Sequence, residues 1–294
     1  MEARVAPWNR EALLANPVFE ALRPVLALCP TGRFPDIEDL NAAARARGAT
    51  SGGGAALRFV PAGDSAARGF DSQYEVRIHR EGVVATRPGS YHDLFNALAW
   101  LAFPKLKAVL NRRHHEELGL RKAAGSRGTT RGEGSRGTAR GEGSRGTERD
   151  VLTLFDEGGV IVACSAPDLA RLLRQFEWKA LFWTRRAEVN RAMRFFVFGH
   201  AIHEKALRPY KGVTAKALIV QVQEDFLELS LEAQVAAADE LAASHFARGD
   251  ALASTRGLAP LPILGVPGWA PGNESESFYE DAAVFRPGRT WRGN

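Results

Sequence analysis

Two copies of a nine-residue unit and a shortened third interrupt the chain: GSRGTTRGE at 125–133, GSRGTARGE at 134–142 and GSRGTERD at 143–150. The unit has no apolar residue to bury, and glycine recurs throughout. It cannot offset its own ordering entropy, nor stack on copies of itself as a solenoid repeat must. The core must therefore come from what lies on either side. The expectation is a single domain over 1–294 with a disordered Gly/Arg-rich insert at about 124–149. The insert also explains the charge. Of 39 Lys and Arg and 34 Asp and Glu, residues 121–150 hold eight and four. The rest of the chain is nearly neutral, which argues against a specific nucleic-acid surface and leaves only non-specific polyanion contact through the Arg-Gly tract.

Hydrophobic patterning organises the flanks. Helices are expected at 17–28, at 36–47 with Asp36 as N-cap, and at 91–102 and 105–122, separated by Pro104. Further helices are expected at 166–176, 184–193, 199–207 and 231–247. WKALFW (178–183) fits either type. Short strands are expected near 56–60, 73–79 and 83–87, the last two forming a hairpin across Glu81-Gly82. VLTLF (151–155) and VIVAC (160–164) read as a second hairpin around the 156–159 turn. LPILGVPGWAPGN (261–273) is too rich in Pro and Gly for regular structure and should wrap the body, pinned by Trp269. Strands and helices do not alternate, so the expected fold class is α+β, a mainly helical single domain with short antiparallel hairpins.

Compartment follows from absences. Only Cys29 and Cys164 are present, without Cys/His spacing for structural zinc. The first thirty residues have no uninterrupted apolar h-region of a secretory signal and no small-residue cleavage site, and no stretch reaches the ~20 residues of a membrane span. A cytoplasmic protein without membrane association is expected.

Four constellations can carry chemistry. In Ser90–Leu101, His92, Asn96 and Trp100 lie four apart on one face of an otherwise apolar helix, and polar groups buried there need partners. Asp93 either caps that helix or joins His92 in a site. In the next helix His114 continues the Leu106, Leu110 series, so it is either a satisfied core residue or a weaker ligand. In FFVFGHAIHEK, a strand runs through Gly199 into a helix with His200 and Glu204 on one face. That pair can ligate a divalent ion, act as base and orienting acid, or simply form an ion pair. Finally, Lys205, Arg208, Thr214 and Lys216 surround Gly212. With Thr214 as N-cap they could hold an anion or form a solvated basic face. Asp156 and Glu157 are explained by turn chemistry, although Asp156 could join the site. No GxSxG, GxGxxG after a strand, P-loop or kinase set is present.

The ordered run YHDLFNALAWLAFPKLKAVLNRRH, LTLFDEGGVIVA, WKALFW, FGHAIHEKALRPYKGVTAKAL and LPILGVPGW resembles a family of uncharacterised bacterial proteins defined as a domain of unknown function. The resemblance covers about residues 50–285 and implies a bacterial, cytosolic, single-domain protein. It implies no activity, substrate or cofactor.

Two functions from different classes follow. One is an enzyme, with His92, Asp93, His200 and Glu204 as catalytic residues. A divalent transition metal on His92, His200 and Glu204, with His114 a weaker ligand, would activate water. Lys205, Arg208, Thr214 and Lys216 would hold a small phosphoester-like anion. In a metal-free variant, Glu204 and His200 do general-base work. The other is a non-catalytic binding or interaction module. The discriminating observation is whether His92 and His200 meet in a cleft.

Overall fold

The computed structural model describes residues 7–63, 70–128, 142–248 and 257–288. The chain begins with α1 (Arg10–Ala15), a 3-10 turn (Pro17–Leu22), α2 (Arg23–Leu26) and α3 (Ile37–Arg47). Asp36 caps α3 as expected, its carboxylate accepting from the Glu38 and Asp39 backbone. β1 (Arg58–Pro61), α4 (Phe70–Glu81), β2 (Val83–Thr86), α5 (Tyr91–Ala102) and α6 (Pro104–Gly128) follow. Beyond the repeat come α7 (Glu142–Gly158), β3 (Gly159–Cys164), α8 (Pro167–Arg174), a π-helical turn (Ala180–Thr184), α9 (Arg186–Ala192) and β4 (Met193–Val197). The chain continues through α10 (His200–Ala206), β5 (Thr214–Gln221), α11 (Leu231–Ala247) and β6 (Ala259–Pro262).

The class is α+β and mainly helical. β1 and β2 form a parallel pair, and a mixed sheet runs β4-β3-β5-β6. β3 is antiparallel to β4, parallel to β5 and buried at every residue, as a central strand should be. The apolar residues of both sheets and the surrounding helices merge into one continuous core.

Three local expectations are corrected. Residues 73–79 are helix α4, not a strand, because Tyr74 and Ile78, four apart, both turn inward and Ile78 is buried. Gly82, at φ 67°, ends that helix rather than turning a hairpin, and a Cβ there would sit 2.1 Å from the Ala56 carbonyl. Residues 151–155 are likewise helical. Val151, Leu152 and Phe155 are all fully buried, a helical stripe that an alternating strand cannot produce. Residues 259–262 do form regular structure: β6 pairs with β5 as an edge strand, where Pro260 and Pro262 are tolerated.

Of the repeat, residues 129–141 lie outside the described residues. Its flanks belong to helices, since α6 runs to Gly128 and α7 begins at Glu142.

Candidate functional site: a polar cavity between α4, α5, α6, α7 and α10

One glycine-dependent close approach and one helix N-cap assemble the site. Gly199 passes so near the α7–β3 junction that a Cβ would lie 2.4 Å from the Glu157 carbonyl. Its N–H and that of Phe198 both donate to Gly159 O, at 2.9 and 3.0 Å. The next residue, His200, is thereby set beside Asp156. Ser90 starts α5 by accepting the Asp93 N–H at 3.2 Å, which places His92 in the first turn.

The two helix starts meet. The His92 and His200 rings are 4.6 Å apart, edge to face. His92 Nδ1 lies 2.9 Å from Glu204 Oε2. A carboxylate only accepts, so Nδ1 is the donor in this pair, which leaves Nε2 as the ring nitrogen not engaged by Glu204. His200 is 6% exposed, its Nδ1 has no hydrogen-bond partner, and it stands 3.8 Å from Asp156 Oδ2. Burial pushes its pKa down to about 4 against the pull of Asp156, so at neutral pH the ring is uncharged.

Both histidines line a cavity of about 430 Å³, and so do Tyr74, Glu75, Lys107, Asn111, His114, Arg149 and Asp156. Lys107 is 4% exposed. Its ammonium donates to Asp156 Oδ1 at 2.7 Å and Asn96 Oδ1 at 2.8 Å, and lies 5.3 Å from the Trp100 ring centre. Asn96 donates in turn to the Tyr74 hydroxyl at 3.2 Å. Burial alone would raise the Asp156 pKa, but Lys107, His200 and His114 outweigh it and hold the carboxyl below its ordinary range. Burial pushes His114 down to about 4.

The expected residues fare differently. Asp93 borders the cavity, but Arg87 occupies its carboxylate through the backbone N–H at 2.6 Å and the guanidinium at 2.8 and 2.9 Å. It ties β2 to α5. His114 points the same way as Leu110 and Leu118 of its series, and all three line the cavity. Among the described residues, no group of three or more His, Cys, Asp or Glu is placed to hold a metal ion, and the expected set of His92, His200 and Glu204 is not such a group.

Of the expected anion-binding residues, Lys205, Thr214 and Lys216 border a second cavity of about 510 Å³, whereas Arg208 is not among its lining residues. Arg149, Thr153 and Glu157 line both cavities, so the two adjoin. Thr214 is not an N-cap. It opens β5, and its hydroxyl donates to Gly212 O at 3.1 Å.

Sequence reasoning missed Lys107, Tyr74, Glu75 and Asn111 as site residues. A signal existed in α6: Lys107, Asn111 and His114 follow i, i+4, i+7, a polar stripe beside Leu106 and Leu110.

Helices of an α+β protein thus converge on a partly open cavity, with the Glu204-paired imidazole of His92 in its lining. The chain belongs to the family described as protein of unknown function (DUF3025), which it matches over residues 57–289. No curated protein and no solved structure matches it. Among the described residues, no helix is long and apolar enough to cross a membrane.

Proposed function

We propose that the cavity is the active site of a hydrolase acting on a small anionic, phosphoester-like substrate by general acid–base chemistry. One observation carries the reading: His92 is backed by Glu204 and abuts His200 at a chamber with a buried Lys–Asp pair in its wall. Titratable groups converging on one void, with Lys107, Asp156 and His200 sheltered behind the more exposed His92–Glu204 pair, support a reaction site.

In this mechanism Nε2 of His92 takes a proton from water as its oxygen attacks phosphorus. Glu204 stabilises the imidazolium that forms. His200, uncharged, donates or accepts a hydrogen bond without competing for the proton. Lys107 is largely neutralised by Asp156, so it holds the wall in place and contributes a polarised donor rather than a free charge. Arg149, at the boundary of the two cavities, and Lys205 and Lys216 beyond it would receive the anionic end of the substrate.

The test is hydrolysis of p-nitrophenyl phosphate and bis(p-nitrophenyl) phosphate with a chelator present. Wild type should turn over at least one ester, and His92→Gln should lose about 10²–10⁴-fold in kcat. Turnover of neither ester, or a His92→Gln variant as active as wild type, would remove the reading. The rival is a binding module for a small polar ligand. It is favoured by the fact that Lys107 is already satisfied by Asp156 and Asn96. It predicts ligand-raised thermal stability without turnover.

A further inference from the structure

Among the described residues, Glu75 is the carboxyl of α4 that lines the cavity, and an unusual arrangement holds it. The loop at 51–54 presses so closely on α6 that a Cβ on Gly52 would lie 2.5 Å from the Ala108 carbonyl. The Gly52 N–H reaches Asn111 Oδ1 at 3.1 Å. That bond fixes which way the amide faces, since only Oδ1 can accept from a backbone N–H. Nδ2 of Asn111 must then point at α4. It donates to the Glu75 carbonyl at 3.0 Å and to Glu75 Oε2 at 2.7 Å. Asn111 is 2% exposed, so this clamp is sheltered from water. One carboxyl oxygen is thus held, and no described residue donates a hydrogen bond to the other.

We propose that Glu75 is the proton donor to the leaving group, complementary to His92, with Asn111 as its positioning residue. This rests on the hydrolytic reading above. As water attacks phosphorus, its proton passes to His92 Nε2. The phosphorus–oxygen bond to the alcohol breaks, and that oxygen takes the carboxyl proton of Glu75. Phosphate and a neutral alcohol leave, and solvent returns the proton from His92 to Glu75. Atoms and charge balance without a further reactant.

The carboxyl is suited to this work. Burial pushes its pKa up to about 7, and the charge of Asp156 adds to the shift. Asn111, Lys107 and Arg149 pull the other way. A wall that already contains one ionised carboxylate, Asp156, favours keeping the second protonated. That is the division of labour between paired acids in many hydrolases.

Glu75→Gln tests the idea, because the amide keeps an acceptor for Asn111 and loses the proton. On phenyl phosphate, whose leaving group needs protonation, kcat should fall about 10²-fold or more. On p-nitrophenyl phosphate, whose leaving group departs as a stable anion, it should fall less than about fivefold. The alkaline limb of the wild-type pH profile should vanish in the variant. Equal losses on both esters, or an unchanged alkaline limb, would overturn the assignment. A loss for His92→Gln alongside no leaving-group discrimination for Glu75→Gln would sink this inference and leave the hydrolytic reading standing. A ¹³C-carboxyl titration of the full wild-type chain, with Glu75→Gln identifying the signal, needs no substrate. The carboxyl should titrate near neutrality, and a midpoint in the ordinary range of about 4 to 5 would overturn the proposal by itself.

Discussion

Two polar clusters in this molecule, one buried and one lining a cavity, are built on opposite principles. Around Asn273, nearly every donor and acceptor is matched. Its side-chain N–H groups reach the Leu264 and Val266 carbonyls at 3.0 and 2.8 Å, and its Oδ1 accepts from Gly268 N and Arg186 Nη2, both at 3.3 Å. Tyr279 and Arg186 close on its own carbonyl at 3.0 and 2.8 Å. No cavity is needed to explain that cluster: it fastens the irregular segment after β6 onto α9. Around His92 and His200 the opposite holds. A histidine nitrogen is left without a partner, a carboxyl is held by one oxygen, and an open chamber separates the groups. A saturated polar network rigidifies, while an unsaturated one lining a void has capacity left for a ligand.

The largest expected effect tests the saturated cluster. Asn273→Ala leaves two buried carbonyls without donors and removes an acceptor from Arg186. Each orphaned group costs about 1–3 kcal/mol, so the variant should lose about 3–5 kcal/mol of unfolding free energy in urea. A loss below about 1 kcal/mol would show that water or neighbours re-satisfy those groups and would erase the contrast. The cavity esterase assays should be unchanged in whatever fraction remains folded.

The same contrast decides what could be read in advance. Helices α5 and α11 were legible over 91–102 and 231–247 from their long apolar stretches, although the caps are Ser90, where Asp93 was expected, and Ser230. So was the strand–Gly–helix unit that delivers His200. The meeting of His92 with His200 was framed as a question, since no local pattern encodes which helix starts face each other. Lys107 and Glu75 escaped for a physical reason. Once 73–79 and 151–155 were read by alternation, Glu75 became a strand residue and Asp156 a hairpin tip. The cavity wall that joins them to α6 then had no place to exist. Period 2 and period 3.6 overlap over five to seven residues, and only tertiary burial separates them. The Asn273 cluster was invisible for a different reason: Pro- and Gly-rich segments carry no period at all.

A middle-sized effect sharpens the comparison at His203, one turn from His200 on α10. Its ring is fully buried between Phe19 and Phe95, both at 5.5 Å, and neither nitrogen has a partner. It is unsaturated yet lines neither of the two cavities described above, so on the principle above it is a cost rather than a site. Burial, helped by His200, pushes its pKa from 6.5 down to about 3. The unfolded chain therefore binds a proton that the folded chain refuses, and stability falls as pH drops below about 6.5. Between pH 8 and pH 5 the penalty from this one group is about 2 kcal/mol. His203→Phe keeps a flat ring in the slot and should remove that much of the acid sensitivity. Measuring urea stability of both proteins at the two pH values cancels packing changes, which are the same at each. Parallel losses would mean that the ring is protonated or hydrated in the folded state.

The smallest stability effect is the most informative about function. His200→Leu removes an unpartnered buried imidazole, while Asp156 retains Lys107 as its counter-ion. Replacing a polar group that makes no hydrogen bond by an apolar one of similar size is close to neutral, so stability should stay within about 1 kcal/mol of wild type. Ester turnover should nevertheless fall by about 10²-fold or more, because the ring against which His92 is set is gone. A residue that contributes nothing to the fold but much to turnover is what an active site requires, since such sites trade stability for readiness to bind. Should His200→Leu instead unfold the protein, the imidazole would belong with Asn273 as scaffold, and the line between the two clusters would have to be redrawn through α10 itself.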